Sequence, residues 1–226
     1  MSNKEAKRAA GREAAKWIEP GMIVGLGTGS TATYFIESLI ERVKKGLKIQ
    51  AVASSHESAE LARDGGIELL NLNDAPRVDV TVDGADEIDS QKRMIKGGGG
   101  AHVREKILAA ASREMVVIVD ESKLVSSVGV HKLPVEILFF GAPATRKKIE
   151  NAGYKGQWRT DNQESFTITE NGNLLFDIEF PRPPQYPEQV HATLRNIPGV
   201  LDTGFFFGYA GRVIVGYSDG TIKILA

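Results

Sequence analysis

Cysteine is absent from the 226-residue sequence. The chain can therefore form neither a disulfide nor a thiolate metal site, and it has no cysteine nucleophile. This absence fits a reducing compartment. The N-terminal residues alternate charge with alanine and lack the apolar core of a signal peptide, so we expect a cytoplasmic protein.

Long apolar runs and an excess of charge are missing as well. No segment approaches the length of a membrane span, and a formal net charge of −1 gives no broad basic surface for nucleic acid or anionic lipid. We therefore expect neither a nucleic acid nor a membrane as partner. An anionic ligand would have to be held by a few placed cations and by backbone N–H groups.

The first half of the chain alternates short apolar strands with helices. Residues 4–18 read as a charged, alanine-rich helix that ends at Pro20-Gly21. The strands that follow are "MIVGLG", "IQAVASS", "VDVTVDGAD" and "EMVVIVDES". This alternation predicts an α/β fold, with a Rossmann-like parallel sheet covered by helices.

The pattern changes from about residue 132. Strand-like "LPVEILFF", "YKGQWRT" and "GVLDTGFFF" are interspersed with two helical segments and a hairpin centred on Asn171-Gly172. This order predicts a small βαββαβ, ferredoxin-like α+β domain. The tail reads as two more strands joined at Asp219-Gly220, and we assign it to the first sheet. The predicted domains are thus 1–131 plus 206–226, and 132–205.

The first candidate binding loop is "GLGTGSTA", Gly25–Ala32, between a strand and a helix. Glycines let the backbone approach a ligand, and the helix start offers N–H groups that suit a phosphate. The loop lacks the lysine of a Walker A motif, and Ser30 replaces the last glycine of GxGxxG. The second strand also lacks the terminal acid of a dinucleotide site. A capped strand-to-helix turn without ligand is the alternative.

The second candidate is the acidic loop "VDGADEID". It contains four carboxylates, whose mutual repulsion requires a cation, hydrogen bonds or a catalytic use. These are Asp83, Asp86, Glu87 and Asp89. The spacing does not fit an EF-hand, and no histidine lies nearby to indicate a transition metal. Sugar hydroxyls could donate to these carboxylates, and a solvated acidic turn is the alternative.

The third candidate is the run of four glycines in "IKGGGGAHVREK", which begins after Lys96 and precedes a helix. Glu105 lies early in that helix, where the helix dipole favours an acid in any case. Helical periodicity puts Val103, Ile107 and Ala111 on one face, with Glu105 beside it. Periodicity therefore permits Glu105 to enter a crevice without requiring it.

Together these motifs resemble the A-type ribose-5-phosphate isomerases. The likeness rests on "IVGLGTGSTA", "VDGADEID", "KGGGGAHVREKI" and "VDESK" in this order, and it continues into "LPVE" and "TENGN". It implies interconversion of D-ribose 5-phosphate and D-ribulose 5-phosphate through an enediolate, without metal or organic cofactor. It also favours a homodimer or a homotetramer.

The resemblance implies a role for each matching position. Glu105 corresponds to the catalytic base, and Asp83 and Asp86 to an acidic pair that contacts sugar hydroxyls, with Asp83 a candidate for moving the hydroxyl proton. Lys96 corresponds to a group that binds substrate and stabilises the enediolate. The remaining substrate-binding positions are Lys7, Thr28, Gly29, Ser30, Thr31, Gly84, Ala85, Gly97, Gly98, Gly99 and Lys123. Glu121 departs from relatives that carry a small residue there, and it adds negative charge near Lys123.

Rival functions remain open from the residues alone. A non-catalytic sugar-phosphate sensor would bind the same ligand without converting it, although the sequence shows no DNA-binding segment. An NAD-dependent oxidoreductase is disfavoured by the missing acid after the second strand. An acyl or CoA transferase would use a glutamate nucleophile and would form a covalent adduct.

Overall fold

The computed structural model describes residues 3–225, so the outer limits 1 and 226 of the predicted domains lie outside the described residues. Contacts divide the described chain into two compact units. The larger unit contains the residues up to Ala85, Arg104–Leu124 and the residues from Gly208 onwards. The smaller unit contains Asp86–Val103 and Val125–Phe207.

The predicted strands and helices of the first half are present, together with short strands that the sequence did not predict. In chain order the helices are α1 (Lys4–Lys16), α2 (Ser30–Lys44), α3 (His56–Asp64), α4 (His102–Ala110), α5 (Ala142–Asn151) and α6 (Pro187–Arg195). The strands are β1 (Ile23–Leu26), β2 (Gln50–Ala53), β3 (Glu68–Leu69), β4 (Val80–Asp83), β5 (Glu87–Ile88), β6 (Met94–Ile95), β7 (Met115–Asp120), β8 (Leu133–Ile137), β9 (Gly156–Trp158), β10 (Leu174–Ile178), β11 (Val200–Thr203), β12 (Phe205–Phe206), β13 (Ala210–Gly216) and β14 (Ile222–Leu225). A 3-10 turn, Glu121–Lys123, follows β7.

The larger unit is built on a sheet of order β14-β13-β7-β4-β1-β2-β3. All its pairings are parallel except that of β14 with β13. Every residue of β7 is buried, as expected for an apolar strand covered on both faces. The C-terminal tail joins this sheet through β13, as the sequence predicts. The neighbouring strands β1 and β4 end at the same edge, so the loops that follow them lie side by side.

The smaller unit contains an antiparallel sheet of order β11-β8-β10-β9 with α5 and α6. Its element order is βαββαβ, as predicted. Its core packs Phe176 and Ile178 of β10 with Val135 of β8, and all three are fully buried. A second, three-stranded sheet of order β12-β6-β5 belongs to the same unit.

Three local predictions are correct in place and wrong in extent. The turn at Asn171-Gly172 forms, but the segment before it makes only isolated bridges, and β10 pairs instead with β8 and β9. Strand β8 ends at Ile137, before the exposed apolar residues 138–140. The predicted strand "GVLDTGFFF" is two strands interrupted at Gly204, where a Cβ would lie 2.3 Å from the Lys96 carbonyl oxygen.

The division by contacts differs from the predicted domain limits mainly in two segments, 86–103 and 125–131, which lie in the smaller unit. The first contains β5 and β6, which extend the β12 sheet. The second is held by the Glu87 carboxylate, which accepts hydrogen bonds from the backbone of Gly129, Val130 and His131. The predicted limits remain a proposal about folding units.

Candidate active site

The loop between β1 and α2 is held against the end of β4. The Gly27 N–H donates to the Val82 carbonyl at 3.0 Å, and the Thr28 N–H donates to Asp83 Oδ1 at 3.1 Å. A Cβ at position 27 would lie only 2.1 Å from Oδ1 of Asp83, so only glycine allows this approach. The Thr28 and Ser54 hydroxyls are hydrogen-bonded at 2.8 Å. The glycine-rich loop is therefore built around the Asp83 carboxylate.

Asp83 is the last residue of β4 and is 1% exposed. Its Oδ1 also accepts the Gly84 N–H at 2.7 Å, in addition to the Thr28 N–H. The carboxylate thus connects the loops that follow two adjacent parallel strands. This arrangement fits the rule that loops after adjacent parallel strands meet at the carboxyl edge of the sheet.

Lys7 and Ser30 meet at the start of α2. The Lys7 ammonium donates to the Ser30 hydroxyl at 2.9 Å, and the neighbouring Thr31 side chain is buried. Gly29, which precedes the helix, has a φ of 95° and is exposed. An ammonium, hydroxyl groups and a helix N-terminus are together suited to a phosphate dianion.

Asp120, the last residue of β7, accepts hydrogen bonds from Asn3 near the N-terminus and from Ser122 in the turn that follows β7. Burial by itself raises the pKa of Asp120, but the donors around it outweigh that effect and hold the pKa below its ordinary value. They are the Ser122 hydroxyl, the Asn3 amide at 2.8 Å and the Ser122 N–H at 3.0 Å, and the charge of Lys7 acts in the same direction. Asp120 lies within "VDESK" but is not among the site residues that the family resemblance implies.

Lys123 ends the 3-10 turn after β7, and its side chain is half-buried. Glu121, which begins that turn, is exposed. The part of Lys123 in phosphate binding remains a prediction.

Glu105 lies in the first turn of α4 and is 5% exposed. Ile107, two positions on, is 53% exposed, and Ala111 is also exposed. The apolar face that periodicity predicts is therefore exposed at Ile107 and Ala111, whereas Glu105 beside it is buried. Burial of the acid rather than of the isoleucine departs from the local pattern of the helix, as residues at functional positions often do.

The four carboxylates of the acidic loop have separate environments. Glu87 is fully buried and accepts the N–H groups of residues 129–131 and the His131 ring nitrogen at 2.7 Å. Asp89 accepts the N–H groups of Gln91 and Arg93 and the Arg93 side chain at 2.7 Å. These two carboxylates stabilise local structure, which leaves Asp83 and Asp86 as the candidates for substrate contact.

The glycine run belongs to the smaller unit, together with Asp86 and Lys96. The Gly98 N–H donates to Asp86 Oδ2 at 2.7 Å, and the Gly100 N–H closes a turn onto the Gly97 carbonyl at 2.9 Å. Gly97 has a φ of 106°, a conformation that favours glycine. The Lys96 side chain is buried, with its ammonium 5.6 Å from the centre of the Phe206 ring. Contacts within the smaller unit therefore hold Asp86, Lys96 and the glycine run.

Within residues 3–225 no cluster of three or more histidine, cysteine or acidic side chains is arranged to hold a metal ion. Over the same residues, no helix combines the length and the apolar character that a bilayer crossing requires.

Comparison with known proteins identifies the family. The family model described as "Ribose 5-phosphate isomerase A (phosphoriboisomerase A)" matches residues 50–220. The chain is 48% identical to ribose-5-phosphate isomerase A of Protochlamydia amoebophila, with 98% of this chain and 96% of the relative covered. The chain belongs to the ribose 5-phosphate isomerase A family.

Two solved structures of ribose 5-phosphate isomerases share the whole fold. The enzyme from Methanocaldococcus jannaschii superimposes with a TM-score of 0.93 at 35% identity, covering 99% of both chains. A D-ribose-5-phosphate isomerase in complex with phospho-erythronic acid also gives 0.93, at 38% identity, and covers 100% of this chain and 99% of that one. The α/β fold and the family resemblance predicted from the sequence are thereby confirmed.

Proposed function

We propose that this chain catalyses the reversible isomerisation of D-ribose 5-phosphate to D-ribulose 5-phosphate. Membership of the ribose 5-phosphate isomerase A family over nearly the whole chain supports the reaction. The single structural observation that carries the proposal is the buried Glu105 carboxylate in the first turn of α4.

In this proposal Glu105 removes the proton from C2 of the open-chain aldose and returns it to C1. The intermediate is an enediolate, and one hydroxyl proton moves from O2 to O1, so that no atom is gained or lost. A C–H next to a carbonyl is weakly acidic, so the reaction needs both a positioned base and groups that stabilise the oxyanion. Asp83 is our candidate for moving the hydroxyl proton, and Lys96 for stabilising the negative charge.

The remaining residues hold the substrate. Asp86 accepts hydrogen bonds from sugar hydroxyls, and the glycine run allows a small sugar to approach the backbone. Lys7, Ser30 and Thr31 bind the phosphate, with Thr28, Gly29 and Lys123 beside them. The hydrogen bond between the Lys7 ammonium and the Ser30 hydroxyl at the start of α2 supports this assignment. The proposed chemistry needs no metal and no organic cofactor.

An isomerase assay with EDTA-treated protein tests the reaction. Purified chain mixed with D-ribose 5-phosphate is expected to produce D-ribulose 5-phosphate, detected as the ketose by NMR, at a rate that EDTA does not change. Binding of the sugar phosphate without ketose formation would contradict the proposal and favour a sensor. Loss of activity with EDTA, restored by a divalent cation, would contradict the metal-free mechanism.

We also infer that the chain forms a homodimer or a homotetramer in the cytoplasm. Supporting this inference, three consecutive apolar side chains after β8 are solvent-exposed. Leu138, Phe139 and Phe140 are 45%, 61% and 94% exposed. Contiguous exposed apolar residues commonly mark a protein–protein interface.

Light scattering after size-exclusion chromatography tests the assembly. The wild type is expected at two or four times the chain mass of 24.5 kDa, and the double variant Phe139→Ser/Phe140→Ser at a smaller multiple. Tyr186→Ser, which removes a single exposed aromatic side chain, is the control and should keep the wild-type mass. A wild-type mass of one chain would contradict self-association, and an unchanged double variant would exclude this surface.

A further inference from the structure

We propose that Arg159, together with Asp177, is a positioning residue that orients Asp86 through the glycine run. Neither residue is among the site residues predicted from the motifs, and both belong to the smaller unit, like Asp86 and Gly97. The inference rests on the proposed contact of Asp86 with sugar hydroxyls.

The Arg159 guanidinium uses each of its three nitrogens. Nε donates to Asp177 Oδ2 at 2.9 Å and Nη2 donates to Asp177 Oδ1 at 2.6 Å, which is a bidentate pair. Nη1 donates to two backbone carbonyls, those of Gly97 at 2.9 Å and Gly98 at 3.0 Å. The carboxylate fixes the plane of the guanidinium, and the guanidinium thereby fixes two consecutive carbonyls.

The peptide between Gly97 and Gly98 transmits this constraint to Asp86. A trans peptide is planar, so its carbonyl and its N–H point in opposite directions. The carbonyl side binds Arg159, and the N–H side donates to Asp86 Oδ2 at 2.7 Å. A rotation of this peptide would therefore break both contacts at once. Charge-assisted bonding at the carbonyl also polarises the peptide and strengthens the N–H as a donor.

A run of four glycines needs such an external constraint. Glycine has more backbone freedom than any other residue, and the run has no side chains with which to anchor itself. Its own turn, from the Gly100 N–H to the Gly97 carbonyl, closes only one end. Arg159 supplies the missing anchor from the position directly after β9, where its own N–H donates to the Leu175 carbonyl at 2.8 Å.

The Arg159–Asp177 pair is shielded from water, which distinguishes it from an ordinary surface ion pair. The side chains are 18% and 11% exposed. A lysine at position 159 would keep the positive charge for Asp177. Its single ammonium, however, could not bridge both carboxylate oxygens and the two glycine carbonyls in one geometry.

A double-mutant cycle tests whether Arg159 acts through Asp86. We expect Arg159→Lys to lower kcat/KM by about 10- to 100-fold in the wild-type background, as a displaced contact group typically does. In the Asp86→Ala background the same change should lower kcat/KM less than about threefold, because the group that Arg159 positions is gone. Equal factors in the two backgrounds would overturn the proposal.

Two further variants separate positioning from stability. Arg159→Met/Asp177→Asn removes both charges and so avoids leaving Asp177 buried without its cation. In this double variant too, kcat/KM is expected to fall strongly when Asp86 is present and much less in the Asp86→Ala background. The matched control is Arg146→Lys, because Arg146 lies in the same unit, pairs with Glu150 at 2.8 Å and contacts the Trp158 ring. The control should retain kcat/KM within about twofold, as exposed pairs contribute little.

Hydrogen exchange measured by mass spectrometry gives a readout that does not depend on turnover. In Arg159→Lys the amides of Gly98 and Gly100 should exchange at least about tenfold faster than in the wild type, and Arg146→Lys should not change them. Unchanged exchange in Arg159→Lys would overturn the proposed anchor. If the wild type shows no isomerase activity, the proposed function fails, and this measurement still decides whether Arg159 holds the glycine run.

Discussion

Glu105→Gln is expected to abolish measurable turnover while sugar-phosphate binding survives. A positioned general base contributes about 10²–10⁴-fold to such a reaction, and an amide cannot accept the C2 proton. Glutamine has nearly the same size and shape as glutamate, so the packing around this buried position should be preserved. The measurements are kcat with D-ribose 5-phosphate and the dissociation constant of the same sugar phosphate from the inactive variant, obtained by calorimetry.

A second glutamate provides the matched control for this substitution. Glu57 occupies the first turn of the nine-residue helix α3, as Glu105 does in the nine-residue α4, and it is exposed. Glu57→Gln removes the same favourable interaction with a helix dipole, so it should leave kcat within about twofold and change stability only slightly. Near-normal turnover in Glu105→Gln would refute the base assignment.

The sequence predicted most of the larger sheet, because its strands other than β3 are apolar runs and β1 and β2 are each followed directly by a helix. Hydrophobic periodicity and the positions of turn-forming residues are local signals, and they indicate where strands such as β1 and β7 end. Once those ends are known, the rule that ligand loops follow the carboxyl ends of parallel strands brings Thr28 and Asp83 together. The hydrogen bond between them agrees with that expectation.

Hydrophobic periodicity did not predict which side chains of α4 are buried. Its sequence predicts an apolar face through Ile107, whereas Ile107 is 53% exposed and Glu105 only 5%. Burial of the acid depends on what the rest of the chain packs against this helix, which spacing along one segment does not report. The family resemblance implies a role for Glu105, whereas periodicity does not require one.

The acidic loop and the glycine run show a second limit of prediction from local sequence motifs. The number of carboxylates in the loop does not indicate which of them is structural. Glu87 binds residues 129–131, more than forty positions away, whereas Asp86 binds Gly98. Arg159 is 62 residues from the Gly97 carbonyl that it binds, and no pattern around it predicts that contact. Such pairings arise from the tertiary fold, which a reading of local motifs does not contain.

Gly27→Ala should have the second-largest effect, because a single methyl group would displace Asp83, our candidate for moving the hydroxyl proton. The added Cβ would lie 2.1 Å from both Cγ and Oδ1 of Asp83, and that carboxylate is 1% exposed and too short to swing aside. Either Asp83 or the loop that donates the Thr28 N–H must move by about 1 Å or more. Since a displacement of that size can lower catalysis by about 100-fold, we expect kcat/KM to fall at least that far.

The same unit contains a matched glycine for comparison. A Cβ at Gly211 would lie 2.8 Å from Cγ of Glu114, whose side chain is 31% exposed and long enough to move. Gly211→Ala should therefore retain kcat/KM within about threefold, whereas Gly27→Ala should also lose about 1–3 kcal/mol in the free energy of unfolding through overpacking. Kinetics and urea unfolding of both variants provide the check. If Gly27→Ala is as active as Gly211→Ala, the glycine-rich loop and Asp83 are not coupled in the way that the hydrogen bond from Thr28 implies.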